Sequence, residues 1–277
     1  MTPTMPMPSL LSRAPLPAWL LPLAVAAHAA SAAPPNALPA PPTQLVCAPD
    51  ALHRWRVSRE ADGTPLQVSV SVAAGTRECD FASSGAPQRQ PDGAWRFEWQ
   101  DELLGQRQRV DVRRAGGDGY RLALTPAACG ALQLPATATL AATAPGCTVS
   151  VDRDAAFGQF WRQLRDALAR GDGALLQQLS LPQLEFVEGP DIAKAPSSIL
   201  RGAAPCLAGV GATQSRLTLR DMIAGDQPPR LDMPPLSRRG DSRIDFAGAM
   251  SLTWTDQGWR MDGFNASRSV FQRCGRP

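Results

Sequence analysis

Hydrophobic and polar positions divide the chain into three stretches with different periods. In the first, an apolar run from Leu16 to Ala27 follows Arg13, the only charged side chain before Asp50. In the second, residues 44–151, apolar residues fall at every second position. Leu66, Val68, Val70 and Val72 share one strand face, and Trp95, Phe97 and Trp99 alternate with Arg96 and Glu98. Val110 and Val112 follow, then Tyr120, Leu122 and Leu124. Successive side chains of a strand point to opposite faces, so this pattern predicts strands with one buried face. Turn signals separate the runs: Pro91-Asp92-Gly93, Gly105, and Gly116-Gly117-Asp118-Gly119. Short strands at this spacing predict antiparallel meanders folded into a small sandwich or barrel.

The period changes at Asp152. Phe157, Phe160, Trp161, Leu164 and Leu168 form one apolar stripe at helical spacing, with Asp154 placed to cap its start and Gly171 to close its end. Asp172 opens a second short helix with Leu175, Leu176 and Leu179, stopped before Pro182. Leu184 to Val187 reads as a strand and Ser197 to Ala204 as a short helix. Residues 224–242, with four prolines, read as a long surface loop. Ile244, Phe246, Gly248, Met250, Leu252 and Trp254 then occupy every second position, which predicts one long strand bent at Gly248. Thr255-Asp256-Gln257-Gly258 is a hairpin turn, and Trp259 and Met261 start the return strand. The expected fold class is α+β. An N-terminal all-β antiparallel domain spans 44–151, and a C-terminal α+β domain, with helices packed on a curved antiparallel sheet, spans 152–277.

The first apolar run is too short and too interrupted by proline to span a bilayer, and small-x-small patterns follow it at Ala27-His28-Ala29 and Ala30-Ser31-Ala32. Residues 1–32 are therefore expected to be a signal peptide cleaved after Ala32 or Ala29, which places the mature protein in the periplasm or outside the cell. Residues 33–43 form a proline-rich linker, expected to be extended and mobile. No other apolar run approaches spanning length. Cys47, Cys79, Cys129, Cys147, Cys206 and Cys274 all lie beyond the leader, and an even count in an exported chain reads as three disulfides. Sequence alone does not choose among the pairings. Cys47–Cys79, Cys129–Cys147 and Cys206–Cys274 keep every bridge inside one expected domain. None of the six forms a Cys-x-x-Cys pair and histidine is nearly absent, so neither a metal nor another cofactor is expected.

The order of two helices, a small helix and a curved sheet ending in Gly258-Trp259-Arg260-Met261 resembles the nuclear transport factor two-like (cystatin-like cone) superfamily. The resemblance covers residues 153–265 and rests on that order with Phe160-Trp161-x-x-Leu164, Arg170-Gly171-Asp172-Gly173 and the Trp254…Trp259 hairpin. It implies a cone-shaped pocket and no particular reaction, because such folds carry enzymes, binding modules and immunity-type proteins alike.

Candidate chemistry is sparse. Net charge is +3, falls to about +2 without Arg13, and is nearly all arginine with Lys194 the single lysine, which argues against a dominant nucleic-acid role. His28 leaves with the leader, so His53 is the one histidine available to a catalytic triad, and it shares strand parity with Trp55 and Val57 as a packed residue would. There is no Gly-x-Ser-x-Gly elbow and no His-Glu-x-x-His, and Gly209-Val210-Gly211 lacks the last glycine of a dinucleotide loop. Asp152-Arg153-Asp154 lacks calcium-loop spacing and reads as helix-cap chemistry. Glu185 with Glu188, and Asp101 with Glu102, are carboxylate pairs close in sequence, and both read as solvated. Asp245 is expected to point away from the apolar face of its strand. No catalytic residue is therefore assigned. Of the six tryptophans after the leader, Trp161 and Trp254 read as core, whereas Trp95 and Trp99 on a short meander are candidates for an interaction surface.

The expected function is an exported, non-catalytic binding protein of the cell envelope. Its partner would be an envelope protein or a cell-wall-related ligand, and one version is an inhibitor or immunity-type protein acting on an envelope enzyme. The alternatives are a small acid-dependent enzyme with a pocket in the C-terminal cone, and a structural envelope protein.

Overall fold

The structure, a computed structural model, describes residues 38–101, 105–129, 132–209, 219–224, 236–239, 242–246 and 249–274. The expected signal peptide, the first five linker residues, Glu102, Gly248 and most of the expected 224–242 loop lie outside the described residues. From Leu38 onward the chain packs as one compact, sheet-rich α+β unit with two hydrophobic cores.

The first part runs through β1 (Thr43–Cys47), β2 (His53–Arg59), β3 (Pro65–Ala74), β4 (Arg77–Ala82), β5 (Gln88–Arg89), β6 (Trp95–Asp101), β7 (Gln106–Ala115), β8 (Gly119–Thr125), β9 (Ala128–Cys129), β10 (Leu132–Gln133), β11 (Thr137–Leu140) and β12 (Cys147–Val151). Its two five-stranded sheets are ordered β12-β1-β2-β3-β4 and β11-β8-β7-β6-β5, with β9 and β10 as a short hairpin. Every pairing is antiparallel. Leu45, Trp55, Val57, Val68, Val70 and Val72 of one sheet meet Trp95, Phe97, Val110, Val112, Leu122 and Leu124 of the other in one core. This is a sandwich, and the turn signals sit at its corners as expected. One register differs. Ser58 faces Gln67 while Arg59 faces Pro65, so β3 carries a bulge. The bulge turns Pro65 inward and leaves Leu66 only half-buried.

β12 returns to the outside of β1 and closes the sandwich. Cys47 stands opposite Cys147 in that pairing, and the two are bonded. Cys79 of β4 is bonded to Cys129 of β9, and Cys206 to Cys274. The Cys206–Cys274 expectation holds. The expected Cys47–Cys79 and Cys129–Cys147 bridges are corrected, because β1 lies between β2 and the last strand of the sandwich, and Cys47 faces Cys147 on that last strand.

The second part runs through α1 (Arg153–Arg170), α2 (Gly173–Gln178), β13 (Ser180–Glu188), β14 (Asp191–Pro196), α3 (Ile199–Leu207), α4 (Leu219–Ile223), β15 (Leu236–Arg239), β16 (Arg243–Phe246), β17 (Met250–Thr255), β18 (Gly258–Phe264) and α5 (Arg268–Arg273). Asp152, not Asp154, caps α1 by accepting from the Ala155 N–H at 3.0 Å, and Gly171 closes the helix in the left-handed conformation at φ 64°. The six-stranded sheet is ordered β14-β13-β18-β17-β16-β15, antiparallel except for β13 beside β18. Phe157, Trp161 and Leu164 of α1 pack with Leu176, Phe186, Leu200, Phe246 and Met261 in the second core.

The expected single long strand from Ile244 to Trp254 is two strands. The chain reverses between Phe246 and Met250, which face each other across β16 and β17. Two facing residues four positions apart keep the same parity, so the period-two pattern runs through the turn unbroken. Part of the expected 224–242 loop is likewise the edge strand β15.

Among the described residues each sheet draws its strands from one side of Asp152. The segment before β1 joins the two cores. Leu38 packs against the second core, and the Pro42 carbonyl accepts from the Asp152 N–H at 2.9 Å. Residues 38–43 are thus docked, unlike the mobile linker the proline content suggested. Among the described residues no helix is long and apolar enough to cross a membrane.

Candidate functional site

The inward positions of β1 and β2 stay apolar along most of the sandwich and turn polar at one end. On β1 the inward series is Cys47, Leu45 and then Thr43; on β2 it is Trp55, Val57 and then Arg59. Thr43 and Arg59 are direct cross-strand partners. The end of the sandwich is therefore a polar mouth above an apolar core.

Arg59 is only 8% exposed. Its Nε donates to Thr43 Oγ1 at 3.1 Å, and one terminal nitrogen donates to the Asp118 carbonyl at 3.0 Å in the β7–β8 turn of the facing sheet. Tyr120, on the inner face of β8, donates its hydroxyl to the Gly63 carbonyl at 2.7 Å, and the Arg59 guanidinium lies 5.9 Å from its ring centre. Burial raises the Tyr120 pKa above its ordinary value, with Arg59 acting in the opposite direction, so the phenol is neutral. Arg114 closes the rim by donating to the Asp62 carbonyl. The Asp62 carboxylate turns back to accept from the Thr64 N–H and hydroxyl at 2.8 and 3.0 Å. A Cβ on Gly119 would stand 2.6 Å from the Leu140 carbonyl, so glycine is required for β11 to lie against this corner.

These groups line a groove of about 390 Å³. Its outer wall includes Val149 of β12, which is 45% exposed, with Val151 beside it at 42%. Among the described residues β12 lies at the end of its sheet and pairs only with β1. Such an edge presents main-chain N–H and C=O groups to any strand that can align with them. The mouth thus combines an open strand edge, exposed valines and a buried guanidinium with no carboxylate partner among the described residues. Glu60, Asp62 and Asp118 also line it, so the mouth offers groups of both charges beside apolar surface, which suits binding, and its lining includes no nucleophile with a base beside it.

The residues singled out from the sequence lie elsewhere. His53 Nδ1 meets both Asp50 carboxylate oxygens, at 3.0 and 2.9 Å. The His53 side chain and then the Leu52 and His53 N–H groups hold the Asp50 pKa below its usual value. No hydroxyl bonds His53 among the described residues, so the pair lacks the third member of a triad. Trp95 and Trp99 do not form an open surface. Trp95 is 5% exposed in the sandwich core, with the Arg89 and Arg114 guanidinium groups 4.3 and 5.5 Å from its ring centre. Trp99 is half-buried against Phe81, at 5.8 Å between centroids. Trp161 is in the core as expected, and Trp254 is partly buried beside Trp259. Glu185 pairs with Lys194 at 3.4 Å, so the carboxylate acts as an ion-pair partner. Asp245 lies on the face opposite Ile244 and Phe246, as its parity implies.

One carboxylate escaped the sequence reading. Ser251 pairs with Gly263 while Leu252 pairs with Met261, which leaves Asp262 as the extra residue of a bulge. Ser251 Oγ bonds its carboxylate, and Arg243 Nε stands 3.3 Å away. Burial raises the Asp262 pKa above its ordinary value, against the lowering by Ser251 and Arg243, and Glu185 adds to the rise. The signal was available, since Met261 and Phe264 are both apolar at odd spacing in one strand. Asp262 shares the outer sheet face with Ser251, away from the second core. No group of three or more possible metal ligands occurs among the described residues. No family model, curated protein or solved structure matches the chain.

Proposed function

We infer that the chain is an exported, disulfide-stapled binding protein of the cell envelope, and that the mouth of its sandwich with the β12 edge receives a protein partner. The compartment is supported by three disulfides, which persist where conditions are oxidising. Binding is supported above all by Arg59. Its guanidinium lines the groove and has two hydrogen-bond acceptors among the described residues, the Thr43 hydroxyl and the Asp118 carbonyl, so donors remain for an incoming group to accept from. The adjacent edge gives that partner main-chain hydrogen bonds on a rigid, cross-linked frame, which reduces the entropy lost on association. An inhibitor or immunity-type role against an envelope enzyme fits this surface, because blocking by contact needs no chemistry of its own. The kinship of residues 153–265 with the nuclear transport factor two-like superfamily is a proposal from element order and adds no site.

Capture from an envelope extract tests the reading, with wild type and Arg59→Gln as baits of matched melting temperature. A partner enriched by wild type and reduced about tenfold or more by Arg59→Gln is expected, as for an interface arginine that dominates binding. Equal enrichment by both baits removes the mouth from the interface.

A second reading, an acid-dependent enzyme, has Asp262 in its favour. That carboxylate is bound by Arg243 and Ser251 on the outer sheet face and not enclosed in the C-terminal core, which is filled by Phe, Leu and Trp side chains.

A further inference from the structure

The register of β12 against β1 decides which main-chain groups of this edge are left for a partner. The Asp152 N–H donates to the Pro42 carbonyl and the Ala48 N–H to the Gly146 carbonyl, both at 2.9 Å. Directly opposed residues of an antiparallel pair exchange hydrogen bonds at every second position. Thr148 and Ser150 lie between those two bonds at that spacing, so they direct their N–H and C=O groups to β1. Val149 and Val151 turn theirs to the other side, where no described strand lies. Cys147 adds only its carbonyl, because its N–H donates to the Ala144 carbonyl at 3.1 Å.

The side chains of β12 carry no charge. Val149 and Val151, opposite Leu45 and Thr43, stand on the inner face of the sheet, and Thr148 and Ser150 on the outer face. Sheet edges usually carry charges that discourage further pairing. Other ends of the larger sheets do so: β4 with Arg77 and Asp80, β14 with Asp191 and Lys194, and β15 with Arg238 and Arg239. β5 has two residues, and β11, although uncharged, exposes no large apolar side chain. Leu52, Val149, Val151 and Ile192 are the exposed large apolar residues among those described, and two of them stand together on β12. Among the described sheet ends, β12 alone joins free main-chain groups to exposed apolar side chains without a guarding charge.

We propose that an extended, uncharged segment of the partner protein adds to β12 as a sixth, antiparallel strand, with β-branched or other apolar side chains opposite Val149 and Val151. This rests on the reading of the mouth as a protein-binding site, and it names the part of the partner that docks. Every pairing in the sandwich is antiparallel, so the added strand continues the pattern. Its main chain supplies the bonds that the Val149 and Val151 N–H and C=O groups lack. Its alternate side chains pack on the two valines as cross-strand pairs, and those between them meet the Thr148 and Ser150 hydroxyls. A charged side chain opposite either valine would be desolvated with no opposite charge on β12, so charge matching selects a neutral segment.

An NMR titration of the isotope-labelled mature chain with a short peptide of alternating valine and threonine tests this. The Val149 and Val151 amide signals are expected to shift saturably, with that of Glu98 on the other sheet unmoved. The same peptide with every amide N-methylated is expected to bind about tenfold more weakly or worse, because its donors are gone. Val149→Pro removes an outward N–H and leaves the bonds of Thr148 and Ser150 to β1 in place, as proline does on an edge strand. It is expected to keep the fold and to weaken the peptide about tenfold or more, read at Val151. No saturable shift at Val149 and Val151 overturns the proposal, as does undiminished binding by Val149→Pro. Equal binding of the methylated peptide overturns it too, and that arm decides alone should Val149→Pro fail to fold. If capture that depends on Arg59 survives such a result, the fault lies in the strand pairing and not in the reading of the mouth.

Discussion

Cys47 and Cys147 occupy directly opposed positions on β1 and β12 and are bonded, so the first and last strands of the sandwich are joined across 100 residues. The bond holds in place the edge strand that forms one wall of the mouth. The Cys47→Ala, Cys147→Ala double variant is expected to lose roughly 4–5 kcal/mol, as a loop of that length implies through the lost restriction of the unfolded chain. Urea unfolding measures the loss. Peptide mapping without reductant is expected to return Cys47–Cys147, Cys79–Cys129 and Cys206–Cys274, and a Cys47–Cys79 peptide would refute the arrangement.

Trp95 belongs to the core, so its truncation acts on stability before it acts on binding. Trp95→Ala is expected to cost about 3–5 kcal/mol, the range for a large aromatic removed from a packed interior. Trp99→Ala, at a half-buried position, is expected to cost clearly less. Equal and small losses for both would return Trp95 to the surface.

Asp262 gives the fold a distinct pH signature. Its folded pKa is raised above the unfolded value of 3.8, so the folded state holds the proton more tightly. That contribution is fully present below pH 3.8 and is lost as pH rises through the higher folded pKa. Asp50, Asp62 and Asp92 are shifted downward and act with the opposite sign. The difference between wild type and Asp262→Asn isolates the one group. Across urea unfolding series from acid to neutral pH, wild type is expected to lose stability relative to Asp262→Asn just above the ordinary carboxylate pKa. A constant difference across that range contradicts the assignment.

The two cores are expected to unfold as separate units, since each sheet among the described residues stays on one side of Asp152. A chain covering residues 38–151 is expected to give a cooperative transition of its own. A single transition for the intact chain, with no folding of residues 38–151 alone, would show that the halves depend on each other.

Much of this architecture was legible because burial on one face writes a period into the chain. The sandwich strands, the α1 stripe and the Gly258 hairpin all follow it. What remained hidden are the places where parity is preserved or broken by geometry. A reversal between Phe246 and Met250 leaves the alternation intact, so two strands read as one. Bulges at Leu66 and Asp262 shift it by one residue, hiding an inward Pro65 and an outward carboxylate. Disulfide partners depend on which strands become neighbours, and β1 pairs with a strand 100 residues away. Arg59 and Arg260 look like any other arginines in the sequence. Only the fold shows that one sits at the inward end of β2 and the other is buried at the start of β18.

The central claim is that the mouth and the β12 edge are where a partner docks. A photo-crosslinking amino acid at Val149, on the rim of the groove, tests this in intact cells that produce the protein. Glu98, on the solvent face of β6 in the other sheet, is the control position. The expected result is a discrete heavier species from Val149, absent from Glu98 and abolished when Arg59→Gln is added. No adduct at Val149, or the same adducts from both positions, contradicts the claim.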